Sequence, residues 1–389
     1  MNFIKYFLNL LINSKWKWKL PKKSDILIYD SSGVEILSKY LSEYSFEIFY
    51  NRGYYLKNEI LYISVLFISI LSYEFWRGKI ANSYRNTFIQ IVAPKLIITF
   101  IDNSPGFYEL KNQFPNTKTM FIQNGWRGEL GDVFERLRYS DKYFVDCMLV
   151  FNRHIAKKYK SYISGEAVVC GSLKNNFVQI KKEEKDNSVL FISQYRDTDS
   201  FSNAFVIDSQ GTEYSYYQFY DSERFVLEFL DGWCIENNLS LNISSFYSES
   251  NSNELIYYSS ILRSDNWKIL PRVGLFSSYG YIDSCKIVVS IDSTLGYESI
   301  GRGNRTAIFS TRGLDLNNSA TKFGWPGDFP EKGPFWTNQK NIEDFRSIMD
   351  FLNNTSETEW DAICRNYASE LMPFDERNSI FRNKLKEFF

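Results

Sequence analysis

Short, continuous apolar runs that alternate with helical stretches constrain this chain more than any other feature. In the first half the runs are Ile26-Leu-Ile-Tyr29, Phe46-Glu-Ile-Phe-Tyr50, Leu96-Ile-Ile-Thr-Phe-Ile101, Thr119-Met-Phe-Ile122, Cys147-Met-Leu-Val-Phe151 and Ala167-Val-Val-Cys170. Strands without polar alternation must be covered on both faces, which is the condition of a parallel sheet flanked by helices. A second series begins at Val189-Leu-Phe-Ile192. It continues through a helix over 222–237, Leu239-Ser-Leu-Asn-Ile243, Lys286-Ile-Val-Val-Ser-Ile291, a helix over 294–302, Thr306-Ala-Ile-Phe309 and a helix pair from Asn341. Between the two series, Lys181-Lys-Glu-Glu-Lys-Asp-Asn-Ser188 is charged and lacks large apolar residues, as a linker does. The expected class is therefore α/β, with two Rossmann-like domains facing across a cleft. Its divisions are an amphipathic segment 1–24, a first domain 25–180, a second domain 187–365 and a terminal helix 366–389 able to cross back to the first domain.

With 389 residues, the chain has room for two domains of ordinary size, and 44% apolar against 23% charged residues is a globular balance. The net charge of −1 hides an asymmetry: residues 1–180 hold 24 basic and 15 acidic residues, the remainder 21 and 31. A basic first half suits anionic lipid; the clustered basic stripes of a nucleic-acid binder are missing, so nucleic acid is not an expected partner. Five cysteines, odd in number and without a C-x-x-C pair, imply a reducing compartment and no zinc site. A single histidine, His154, excludes mechanisms that need a histidine pair and moves general-base duty to a carboxylate.

Near the start, Ile4, Phe7, Leu8 and Leu11 recur at helical spacing, followed by Lys15, Trp16, Lys17, Trp18, Lys19, Lys22 and Lys23. Such a segment fits either an anionic membrane surface or a terminal helix packed on its own domain. The apolar run Ile60–Tyr73 covers 14 residues, short of the roughly 20 that span a bilayer, and reads as a buried core helix. The expected localisation is cytoplasmic, with peripheral contact at the inner face of the cytoplasmic membrane as an option.

The most informative segment is 286–310. A buried strand ends in Asp292-Ser-Thr294, small residues open a helix, and Gly303 closes it before the next strand. A helix N-terminus offers free N–H groups and the positive end of a dipole, so Ser293, Thr294, Leu295 and Gly296 are candidate phosphate contacts and Glu298 a candidate ribose contact. An ordinary Ser/Thr-capped helix in a βαβ unit is the alternative.

The segment resembles the donor-binding signature of GT-B glycosyltransferases, with Gly303-Asn-Arg305 in place of the usual Gly-Lys-Pro-like ending. More broadly, the chain resembles a family of bacterial surface-carbohydrate (capsule and O-antigen) biosynthesis proteins over residues 24–365. The resemblance rests on Gln123-Asn-Gly-Trp-Arg127, Gly171-Ser-Leu-Lys-Asn-Asn176, Phe191-Ile-Ser-Gln-Tyr-Arg196, Asp292–Glu298 and Phe323-Gly-Trp-Pro through Lys332-Gly-Pro-Phe-Trp336. It implies a GT-B fold and a relation to transferases that use CMP-activated Kdo, pseudaminic or legionaminic acid. The His-Pro motif of some Kdo transferases is missing, because Ile155 follows His154.

Loops after first-domain strands should face the cleft. Asp102, in Asp102-Asn-Ser-Pro-Gly106, is a candidate base or nucleophile, or simply good turn chemistry; Asp132 is the second candidate. Asn103, Gln123, Asn124 and Arg127 are candidate sugar or acceptor contacts, Arg127 able to bind a carboxylate or phosphate in two-pronged fashion. In the second domain, Ser193, Gln194 and Arg196 follow the first strand, where phosphate or base contacts are natural. Trp325 and Trp336, in a loop rich in Gly and Pro, would form a sugar platform, a lid or a hydrophobic pin for the loop.

The leading expectation is a metal-independent transferase needing no cofactor. It would pass an acidic sugar from a CMP-linked donor in the second domain to a glycan or lipid-linked glycan acceptor against the first. Helix N–H groups and Arg196 would take the place of a metal. The competing expectations are a UDP- or GDP-hexose or CDP-alditol phosphate donor on the same fold, and a non-catalytic scaffold of an assembly complex.

Overall fold

The computed structural model describes residues 12–50, 59–130, 132–180, 184–197, 205–207 and 211–389. The amphipathic positions Ile4, Phe7, Leu8 and Leu11, and Lys181–Glu183 of the linker, lie outside them.

The first domain is built on six parallel strands: β1 (Ile26–Tyr29), β2 (Phe46–Phe49), β3 (Leu96–Thr99), β4 (Lys118–Ile122), β5 (Phe144–Val150) and β6 (Ser164–Val169), in the order β2-β1-β3-β4-β5-β6. Their side chains alternate between two apolar layers. Leu27, Ile97, Phe121 and Met148 face one layer with Phe88, Phe107 and Tyr159, while Ile26, Ile28, Ile98 and Leu149 face the other with Ile36 and Leu37. Burial on both faces is why these strands read as unbroken apolar runs.

The second domain repeats the architecture with β7 (Asp186–Ile192), β8 (Ser240–Ser244), β9 (Trp267–Leu270), β10 (Cys285–Ser290), β11 (Thr306–Phe309) and β12 (Trp336–Thr337). The order is β9-β8-β7-β10-β11-β12, again all parallel. Strand order reverses between β7 and β10, and a crevice opens at the carboxyl ends on either side of such a switch point. Two of these strands were not legible: β9 is a half-exposed edge strand and β12 has two residues.

The run 60–73 is a correction. Instead of a buried core helix it forms a short strand, Ile60–Tyr62, paired in parallel with Lys15–Lys17, and then the helix Ile63–Ser69. Phe67, Ile68 and Leu71 are exposed.

After the helices Ile342–Asn354 and Glu357–Leu371, the chain returns to the first domain. Asn378 donates to the Tyr40 hydroxyl and the Leu173 carbonyl at 2.8 and 3.0 Å. The last helix, Ser379–Lys386, buries Phe381 and Leu385 in the layer with Ile26 and Ile98.

Candidate functional site

Between the domains lies a cleft of about 500 Å³. Its second-domain wall comes from the loops after β7 and β10, the two strands at the switch point. The helix Thr294–Gly301 begins there because Ser293 leaves the strand in extended conformation and the next residues turn helical. Ser293 makes no side-chain cap, its own N–H goes to the Ser290 hydroxyl at 3.1 Å, and the helix mouth faces the cleft with Ser293, Thr294 and Leu295. Gly296 lies behind the mouth and does not border the cleft: its N–H donates to the Ser293 carbonyl at 3.0 Å, and a side chain there would press within 2.6 Å of the Ser290 Cβ, so glycine lets the helix lie on β10.

The Thr294 hydroxyl accepts the Trp126 N–H from the first domain at 2.7 Å, and the Trp126 indole stacks on Tyr297 with centroids 3.6 Å apart. This contact seats the 123–128 loop on the helix Thr294–Gly301. Trp126 was missed from sequence because its partners lie 168 and 171 positions away; the signal was its place inside the Gln123–Arg127 motif.

At the end of β7, the Gln194 side chain donates to Asp292 at 2.6 Å and accepts from Arg312. Arg312 grips both Asp292 oxygens at 2.8 and 2.7 Å and donates to the Phe219 carbonyl at 2.9 Å. Asp292 and Arg312, unassigned from sequence, thus hold Gln194 in place. Arg196 lays its guanidinium on the Phe246 ring at 3.9 Å and donates to the Tyr195 carbonyl at 2.8 Å. Burial, with Arg312 nearby, pushes the Arg196 pKa down. Ser193 borders the cleft, but its hydroxyl is turned inward, accepting from Tyr258 at 2.6 Å and contacting Glu254 at 3.3 Å.

Lys174 from the first domain and Arg272 from the loop after β9, also unassigned from sequence, line the same cleft. Burial lowers the Lys174 pKa; the neighbouring Arg272 lowers it further, whereas Glu298 works the other way. Glu298 lies at the cleft wall, bonded to the Ser172 hydroxyl at 2.5 Å, and burial raises its carboxyl above the usual range.

The first-domain carboxylates separate clearly. Asp102 is fully buried and all four of its lone-pair directions are taken: Oδ2 accepts from Arg127 Nε at 2.7 Å and Tyr159 at 2.5 Å, Oδ1 from the Asn124 N–H at 3.2 Å and Arg127 Nη2. It does not reach the cleft, so its expected catalytic placement is corrected to a structural one. Burial works against charge on Arg127, yet Asp102 outweighs it and holds the guanidinium well above its ordinary value. Asp132 does face open space, a chamber of about 160 Å³ beyond Trp126 that also receives Arg127, Asp292 and Arg312. It caps the helix Val133–Arg136 through the Val133 N–H at 2.7 Å and sits 3.4 Å from Arg127.

Of the expected sugar contacts, Asn124 lines the cleft, its Oδ1 held by Arg127 at 2.5 Å. Gln123 is buried and tied to the Gly125 carbonyl and the Phe151 N–H at 2.9 and 2.8 Å, while Asn103 is exposed away from the cleft. Trp336 is core: it stacks on Phe323 at 4.3 Å, donates to the Pro330 carbonyl at 3.0 Å, and Gly333 passes flat across its ring. Trp325 packs against Phe134 under the Lys158 ammonium. The 323–336 loop is pinned by its aromatics, and neither Trp325 nor Trp336 borders the cleft. His154 opens the helix Arg153–Lys160 against Phe329; burial, with Arg153, holds its pKa below the ordinary value.

Among the described residues, no group of three or more His, Cys, Asp or Glu could hold a metal ion. Asp197-Thr-Asp199 nevertheless has the D-x-D spacing of metal-binding transferases, and Asp199 lies outside the described residues. No helix among the described residues is long and apolar enough to cross a membrane.

Comparison places this geometry among known folds. The S. aureus MnaA–UDP co-structure superposes with a TM-score of 0.54 at 10% identity, over 93% of this chain and 96% of that one. A Listeria monocytogenes protein described as "putative UDP-N-acetylglucosamine 2-epimerase" gives 0.54 at 10%, over 93% and 94%. The wall teichoic acid polymerase TagF, in a structure soaked with CDPG, gives 0.50 at 8%, over 94% and 88%. The fold is thus GT-B-like. No curated protein matches the chain. Residues 120–389, more than two thirds of the sequence and including the cleft loops of both domains, match the model of the family described as "putative O-antigen biosynthesis protein", and the chain belongs to that family.

Proposed function

We propose that this chain is a glycosyltransferase of bacterial surface-polysaccharide assembly that transfers an acidic ulosonic sugar from a CMP-activated donor to a glycan acceptor. One observation carries the reading. Two cation pairs, Arg196 with Arg312 and Lys174 with Arg272, border the same cleft beside the open mouth of the helix Thr294–Gly301. Lys174, Arg196 and Arg272 have no carboxylate at ion-pair distance among the described residues. Burial already penalises the charge on Lys174 and Arg196, so an anionic ligand stabilises them. A CMP-ulosonate carries two anionic groups, a phosphodiester and a carboxylate, and the three cations without a carboxylate partner in this cleft, Lys174, Arg196 and Arg272, suit it.

In this reading the helix N–H groups and Arg196 hold the phosphate, while Lys174 and Arg272 take the sugar carboxylate. Asp132 accepts the proton as the acceptor hydroxyl attacks the anomeric carbon; the bond to the CMP oxygen breaks and CMP leaves with its electron pair. The acceptor lies against Asn124, Trp126 and the chamber containing Asp132. The protein works in the cytoplasm at the inner face of the membrane, and no metal or cofactor takes part.

A thermal-shift screen across CMP, CDP, UDP and GDP tests the donor. A ligand at a hundred times its Kd stabilises the fold by about 2.7 kcal/mol. CMP is expected to raise Tm most. Preference for UDP, CDP or GDP instead transfers the assignment to a hexose or alditol donor, as the UDP and CDPG of the structural relatives would suggest; no shift with any nucleotide sinks the cleft assignment. Turnover is expected to survive EDTA, and a loss restored by Mg²⁺ or Mn²⁺ would bring Asp197 and Asp199 into play. Wild-type polysaccharide output from Asp132→Asn would favour a scaffold.

A further inference from the structure

We propose that the first domain carries a docking surface for an anionic lipid bilayer, formed by Trp18 and Leu20 together with the helical turns Phe67–Trp76. The segment 60–76 is among the most apolar in the chain; its helix Ile63–Ser69 buries Ile63, Val65 and Ser69 and packs Leu66 against the core, yet leaves Phe67 and Ile68 outside. Phe67 is 59% exposed, Leu71 86%, Tyr73 71% and Trp76 75%. The fold holds them in that state: the Trp76 indole N–H donates to the Ile70 carbonyl at 2.8 Å, which ties the second turn back onto the first.

The lysine-rich stretch belongs to the same surface. Lys15–Lys17 pairs in parallel with Ile60–Tyr62, Lys17 opposite Tyr62, so Trp18 emerges where Ile63 begins the apolar helix. Trp18 and Leu20 are themselves exposed. Five lysines fall within 15–23 with no acidic residue among them, and Arg77 and Lys79 follow the apolar turns. Contiguous exposed apolar area of this kind marks an interaction site. Aromatic and leucine side chains flanked by lysine are the composition of a bilayer interface, where rings sit at headgroup level and ammonium groups meet anionic lipid. Charge chooses the occupant here: along these stretches seven cations stand against one carboxylate, Glu74, which Asn86 already holds at 2.9 Å, so a purely apolar protein partner would leave Lys19, Lys22 and Lys23 without a counterpart. The proposal stands apart from the donor assignment, since docking needs no nucleotide.

Co-sedimentation of the full chain with vesicles of phosphatidylglycerol and phosphatidylcholine, against phosphatidylcholine alone, reads it directly. The anionic vesicles are expected to bind, the neutral ones to bind at least tenfold more weakly, and about 0.5 M salt to release the protein. Phe67→Asp with Leu71→Asp should cut binding at least tenfold, and Lys22→Glu with Lys23→Glu roughly fivefold or more per charge. Ile256→Asp, on an exposed apolar position of the second domain, should leave binding unchanged. Unchanged melting temperatures check that the variants fold, which the exposure of Phe67 and Leu71 leads one to expect. Three results would overturn the proposal: no binding to anionic vesicles, binding undiminished by the paired aspartates, or a lipid-free dimer, seen by sedimentation velocity, that the same aspartates dissolve.

Discussion

At the scale of single residues, Asp102 and Asp132 show why candidate carboxylates exchange roles once neighbours are known. Asp102 sits in good turn sequence after a strand, and nothing local reveals that Tyr159, 57 positions on, and Arg127 consume its lone pairs. Asp102→Asn should therefore act on stability, by about 3–5 kcal/mol in urea unfolding, because it leaves the buried Arg127 charge without its partner. Asp132→Asn should cost little stability, because asparagine caps a helix as well as aspartate. Its larger effect should be on turnover, lowered by roughly 10²–10⁴ at unchanged donor affinity. An outcome in which Asp102→Asn folds normally and only loses activity would restore it to the chemistry. Trp126→Ala, which removes the stack on Tyr297, should raise KM for the donor, whereas Trp126→Phe should keep most of the contact.

At the scale of elements, the loop after β7 rests on a buried polar layer that the sequence did not advertise. Glu223 opens the helix Arg224–Glu236, and its Oε1 accepts the Gln194 N–H at 2.5 Å while Oε2 meets the Tyr258 hydroxyl at 3.1 Å. Tyr258 continues to Ser193, and Ser193 to Glu254, whose other oxygen is held by Ser245 at 2.6 Å. Burial pushes the Glu223 carboxyl up to about 8, despite the Gln194 N–H and the nearby Arg312 and Arg196, and burial raises Glu254 as well. A protonated Glu223 can donate to Tyr258, which frees the tyrosine proton for Ser193 and satisfies the whole chain. The sign for stability follows. The unfolded chain releases this proton near pH 4.5 and the folded chain holds it to about 8, so stability falls as pH rises through that window, by at most about 1.4 kcal/mol per unit from this group. Glu223→Gln keeps a donor and an acceptor and should flatten the slope of Tm against pH between 5 and 8, leaving the smaller share due to Glu254. An identical slope in the variant would show that Glu223 is already ionised in the folded protein.

At the scale of the whole molecule, the two domains are joined by more than the linker. Arg302, paired with Asp283, reaches the Asn175, Val178 and Gln179 carbonyls at 3.0–3.3 Å, and Asn152 donates to Leu371 at 2.9 Å. Phe381→Ala, a cavity in the first domain made from the last helix, should cost about 3–5 kcal/mol in urea unfolding and lower donor affinity by loosening the cleft wall at Lys174. A loss confined to the last helix, with donor affinity intact, would separate that helix from the site. The sequence by itself determined the first parallel sheet, four strands of the second and the helix start after β10, because strands buried on two faces and the small Ser-Thr turn that opens the helix are written in neighbouring residues. It also marked the loops that border the cleft, since in a parallel sheet these are the loops that follow the strands. Only the tertiary structure decided which of their side chains point into the space. Asp102, Gln123 and Trp336 turned inward as partners of distant residues, whereas Lys174, Arg272 and Arg312 turned to the cleft. It also left the apolar run 60–73 half outside. Burial and pairing are set by contacts between residues apart in the chain, 57 positions for Asp102 and Tyr159 and 118 for Gln194 and Arg312, and local pattern carries no record of them.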